Sequence, residues 1–125
     1  MKVKLKLIST DLESSKSQVL ADTAALFDGR RLLYQEKDTK ATHQIIWGDD
    51  AVTIRREDEI TSVTTLEKNG NGRTSVISEY GTMELDAVCE MILRTDTMWT
   101  VVYRIESQGE TTLHQRLDWH ITQFE

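Results

Sequence analysis

Lys2-Val3-Lys4-Leu5-Lys6-Leu7 opens the chain with a strict alternation of lysine and aliphatic residues. Successive side chains on a strand point to opposite faces, so Val3, Leu5 and Leu7 share one face and the three lysines share the other. That is the pattern of a strand half-buried against a core. The same period of two returns at Val52-Thr53-Ile54-Arg55, at Met83-Glu84-Leu85-Asp86-Ala87, from Trp99 to Ile105 and from Leu113 to Ile121. Threonine, valine and isoleucine together number 33 of 125 residues, and β-branched side chains fit a pleated surface better than a helix. The fold class is all-β.

Turn signals divide these segments. Asp28-Gly29 separates Val19–Phe27 from Arg30–Lys37, and Asn69-Gly70-Asn71-Gly72 separates Ile60–Lys68 from Arg73–Tyr80; both supply residues that tolerate the positive φ of tight hairpins. Gly48-Asp49-Asp50, Thr95-Asp96-Thr97 and Gln108-Gly109 fill other joints. Gly81, inside a strand-like stretch, reads as a bulge or a barrel corner. Between Val19 and Leu26 the alanines carry helix propensity, yet the Asp28-Gly29 hairpin requires a partner for Arg31–Gln35, so this segment is assigned to strand. The sum is one antiparallel meander of about eight to ten strands. Closing it into a barrel removes its edges; a Greek-key sandwich remains the alternative.

One hundred and twenty-five residues hold one core, so residues 1–125 are expected to form a single domain. A net charge of −6 with no basic stripe argues against nucleic acid. No apolar run approaches the roughly 20 residues of a membrane helix, and the alternating N-terminus lacks a signal-peptide core. With Cys89 as the single cysteine, the expected location is the reducing cytoplasm.

Few residues suggest chemistry. There is no phosphate loop and no Gly-x-Ser-x-Gly elbow, and no cofactor is implied. Met83, Leu85, Ala87, Cys89 and Met91 alternate, which makes Cys89 a small buried hydrophobe. On the last strand His114, Arg116, Asp118 and His120 share the polar face. Asp118 and His120, about 7 Å apart, are weak metal candidates without a visible third ligand, and a solvated outer face is the plainer reading. Arg56 is more informative. It shares a face with Val52 and Ile54, so if those point inward Arg56 does too, near the barrel mouth. An inward guanidinium needs a carboxylate; Glu36, on a face with Leu32 and Tyr34, supplies it, with Tyr34 as a hydrogen-bond partner. The opposing reading is that Arg56 reaches the rim with its charge in water. Tyr103, on a face with Trp99 and Val101, joins the mouth, while Trp47 and Trp119 read as core plugs.

Leu33-Tyr34-Gln35-Glu36, then Val52-Thr53-Ile54-Arg55-Arg56, then Tyr80-Gly81-Thr82-Met83-Glu84-Leu85 and the final alternating strand together resemble the YwiB-like family, small bacterial proteins of unknown function. The resemblance implies a calycin-type, lipocalin-like β-barrel and matches Tyr34, Glu36, Arg56, Tyr80 and Gly81. Glu79 stands where the family often has proline, and Glu57-Asp58 where it often has glycine. The resemblance brings no activity or cofactor. Two functions compete: a non-catalytic module holding a small, anionic ligand at the barrel mouth, with Arg56, Glu36, Tyr34, Tyr80 and Tyr103 as site residues, or a filled barrel acting through an outer face such as Thr61, Val63 and Thr65, or through a homodimer contact. An enzyme is least supported, because no nucleophile stands with a base.

Overall fold

A computed structural model describes residues 1–124. Ten strands follow one another: β1 (Lys2–Asp11), β2 (Lys16–Phe27), β3 (Arg31–Gln35), β4 (Thr42–Trp47), β5 (Ala51–Glu57), β6 (Thr61–Glu67), β7 (Asn71–Ser78), β8 (Gly81–Arg94), β9 (Met98–Ser107) and β10 (Glu110–Gln123). Each pairs antiparallel with its neighbour in sequence, and β1 closes on β10 from Val3↔Gln123 to Asp11↔Gln115. The result is a closed up-and-down barrel, not a sandwich, of the kind the lipocalin-like expectation describes. The alanine-rich segment is strand, because its backbone groups pair with β1 from Lys2↔Leu26 to Asp11↔Lys16.

The opening alternation is realised in full: Val3, Leu5 and Leu7 are buried in the barrel, and Lys2, Lys4 and Lys6 are exposed. Successive strands reverse direction, so the turns 12–15, 36–41, 58–60, 79–80 and 108–109 lie at one end, and 28–30, 48–50, 68–70 and 95–97 at the other. Aromatic side chains plug the second end. Trp47 and Trp99 meet at 5.0 Å between ring centroids, and Phe27 packs edge-on against Trp99 at 5.8 Å.

Three sequence readings need correction. Gly81 is not a bulge or corner: Ser78 pairs with Gly81 across a two-residue turn of Glu79 and Tyr80, and the positive φ of +129° falls on the glycine, where no Cβ resists it. Gly72 lies inside β7 and is not part of the preceding turn; a Cβ there would come within 3.0 Å of the Thr65 carbonyl oxygen and 3.1 Å of that of Ala87, so glycine permits the close approach of β6 and β8. The alternating set on β8 breaks at Glu90, where a bulge follows Cys89↔Tyr103 with Met91↔Val102. One extra residue exchanges the faces, so Ile92, and not Met91, packs against the core.

Candidate functional site

At the end opposite the tryptophan plug, the barrel interior opens into a cavity of about 520 Å³. Arg56, Glu36, His43 and Tyr103 contribute to its lining, with aliphatic side chains from β1, β5, β7 and β10 forming most of the wall. Alternation on β5 buries Val52 and Ile54 and carries Arg56 to the mouth, with about a third of its side chain exposed. Glu36 follows the last residue of β3. Its backbone N–H donates to the Ala41 carbonyl, which turns the carboxylate inward until only 8% of the side chain is exposed.

Arg56 Nε donates to Glu36 Oε1 at 2.7 Å and Nη2 donates to Oε2 at 3.2 Å, a two-point ion pair. His43 Nε2 lies 2.6 Å from Oε1, and Thr39 Oγ1 donates to Oε2. The register explains the meeting, since His43 stands opposite Tyr34 on one side and opposite Arg56 on the other. A second chain of bonds runs inward. The Trp119 indole, which can only donate, gives its proton to Tyr34 Oη at 2.7 Å. The Tyr34 hydroxyl therefore turns its own proton toward His43 Nδ1 at 3.1 Å. This orientation fixes the neutral histidine as the Nε2–H tautomer and points that proton at Glu36. Tyr34 and His43 also stack, 5.0 Å between centroids.

Electrostatics follow the geometry. Burial alone would push the Glu36 carboxyl up, but hydrogen bonds from Arg56, Thr39 and His43 outweigh it and hold it down at about 2. Burial pulls the His43 imidazole below its ordinary value against the opposing pull of Glu36. Burial drives the Tyr34 hydroxyl far up, so it stays a donor. The Glu36 partnership raises Arg56. Glu36 thus accepts from four donor hydrogens, about the capacity of a carboxylate, and both ring nitrogens of His43 are engaged. A general base needs an open lone pair facing substrate, and neither residue offers one. The cluster is built to hold shape and charge.

Tyr103 lies on the same lumen, buried, its hydroxyl accepting from Gln115 Nε2. The structure thus brings together Arg56, Glu36, Tyr34 and Tyr103. Tyr80 is elsewhere: it sits at the tip of the β7–β8 turn with 92% of its surface exposed, because the chain reverses there instead of continuing as strand. Asp118 is held on the outer face by Arg116 Nε at 3.0 Å and Thr100 Oγ1 at 2.7 Å, and His120 is exposed. No group of three metal-ligating side chains forms among the described residues. Cys89 is buried, and burial raises its thiol. Sequence reasoning missed His43 and Thr39 and assigned Trp119 only to packing. Alternation with Ile45 and Trp47 on β4 gives the inward face of His43, but not the register that sets it opposite Tyr34 and Arg56.

Fold and site define a small up-and-down β-barrel whose interior is packed with aromatic side chains at one end and open, with a polar cluster, at the other. The family described as Domain of unknown function (DUF1934) matches residues 3–118, and the chain belongs to it. It is similar in structure to the crystal structure of the YwiB protein from Bacillus subtilis, with a TM-score of 0.58 at 11% sequence identity over 95% of this chain and 89% of that one. At that identity the likeness speaks to fold. No curated protein matches the chain. Among the described residues no helix is long and apolar enough to cross a membrane.

Proposed function

We propose that this chain is a non-catalytic small-molecule binding barrel, with its site in the open end of the lumen beside Arg56. The observation that carries the reading is the cavity of about 520 Å³, within the usual range for ligand sites of about 300–1,000 Å³, which the barrel leaves unfilled although Phe27, Trp47 and Trp99 plug its other end. Glu36 and His43 serve as supports: they spend their bonding capacity on holding Arg56 and Tyr34 in place. The free thiol of Cys89 suits a reducing cytoplasm.

The test is native mass spectrometry after incubation with a low-mass metabolite extract. Wild type is expected to retain a bound molecule that Val76→Trp, whose indole occupies the lumen, does not. Equal retention by both, or no retention by wild type, overturns the reading.

One observation favours the interaction reading as a second. Ile60, Ile77, Tyr80 and Met83 leave apolar surface exposed where β6, β7 and β8 reach the open end. A concentration-dependent dimer that Tyr80→Ser and Met83→Ser abolish would support it.

A further inference from the structure

Resting on the lumenal reading above, we infer that the ligand is an amphiphile: an aliphatic body with a carboxylate or similar head that accepts hydrogen bonds and donates none. The lumen has spare donors. Of the five N–H donors of a guanidinium, Arg56 gives two to Glu36, and Nη1 has no partner among the described residues. The Tyr103 hydroxyl accepts from Gln115, while its own proton has no acceptor among the described residues. Thr64 and Thr74 bond to each other at 3.0 Å; whichever donates, the proton of the other is free to point elsewhere. Strong acceptors are spent: Glu36, the only carboxylate in the lining among the described residues, already takes four donors.

That imbalance selects the head group. An ammonium or other cationic donor entering the lumen would meet Arg56 and, among the described lining residues, no open carboxylate, with Asp58 outside on the rim turn, and would lose its water without replacement. A carboxylate would meet donors on two sides, one of them charged, and charge-assisted bonds are roughly twice as strong as neutral ones. The rest of the wall selects the body. Leu20, Ile54, Val76, Ile105 and Leu113 are aliphatic, and no pair of aromatic faces stands ready to sandwich a planar ring. Leu20 and Leu113, both half-exposed, add apolar surface to the entrance beside Arg56.

The experiment is isothermal titration calorimetry of the full chain with three probes sharing one tail: decanoate, methyl decanoate and decylammonium. Decanoate is expected to bind about tenfold or more tighter than decylammonium, the factor that one charge-assisted hydrogen bond supplies. Methyl decanoate, a neutral acceptor, should fall between them. Arg56→Lys, which keeps the ion pair with Glu36 but loses the fork, should cut the preference for decanoate over methyl decanoate; Tyr103→Phe gives a second, uncharged removal of a donor. Equal affinity for decanoate and decylammonium overturns the acceptor-head assignment while leaving the lumen as the site. Binding that survives Val76→Trp unchanged overturns the lumen itself. Failure of all three probes to bind overturns the amphiphile, and the metabolite experiment then decides the lumen independently.

Discussion

Arg56 on β5 and Glu36, the residue just beyond β3, belong to segments that do not pair with each other, 20 positions apart, yet meet through two hydrogen bonds with His43 of the intervening β4 locked against the same carboxylate. Removing the guanidinium leaves Glu36 with its charge in a nearly closed setting. Losing one partner of a buried pair costs about 3–5 kcal/mol, but Arg56 is a third exposed, so Arg56→Met should cost about 2 kcal/mol. Urea unfolding measures it. A loss below about 0.5 kcal/mol, the usual size of a surface effect, would make Arg56 a rim residue in water.

Acid should destabilise the barrel in two stages. His43 is held below its ordinary 6.5 in the folded state, so the unfolded chain takes up a proton that the native chain refuses, and stability falls as pH drops below about 6.5. Glu36 is lowered from 4.5 to about 2. Its contribution is complete above 4.5 and is lost as pH falls toward 2. Chemical unfolding between pH 7 and 3 should therefore show stability decreasing throughout, with the slope between pH 7 and 5 reduced in His43→Gln. Stability that rises on acidification over this range would reverse both assignments.

The thiol of Cys89 should be slow toward an aromatic disulfide reagent in the native protein and fast in denaturant, since the side chain is buried and its ionisation suppressed. Comparable rates in both states would place it at the surface.

At the β7–β8 turn, neighbouring residues should respond oppositely. Tyr80→Ser removes a side chain that touches almost nothing and should change stability by less than about 0.5 kcal/mol. Gly81→Val forces a β-branched residue to φ +129° and should cost about 1–3 kcal/mol. Similar losses for both would mean that the turn is built differently.

How much of this was legible follows from what period two encodes. Alternation names the face of each residue, so Lys2–Leu7 and Val52–Arg56 could be oriented from sequence, and the Arg56–Glu36 meeting followed from two inward faces needing charge balance. Alternation does not report register. His43 joins the cluster because β4 places it opposite both Tyr34 and Arg56, and nothing local in Thr42-His43-Gln44 marks that. Bulges are likewise silent: the extra residue at Glu90 exchanges the faces beyond Cys89 without a glycine to signal it. Tyr80 was misplaced because the Glu79-Tyr80 turn keeps negative φ and passes its unusual conformation to Gly81, so the usual Asn-Gly signature is missing.

If the lumen beside Arg56, and not an outer surface, receives the ligand, a ¹H–¹⁵N correlation spectrum titrated with decanoate will locate it there. The outer face offers a competing groove lined by Lys4, Lys6 and His120 together with Asp22. Lumenal binding predicts shifts concentrated on the amides of Ile54, Thr74, Val76 and Gln115, together with the Trp119 indole N–H, which senses the mouth through Tyr34 and His43. Shifts confined to Lys4, Lys6 and His120, or none at saturating decanoate, would contradict it.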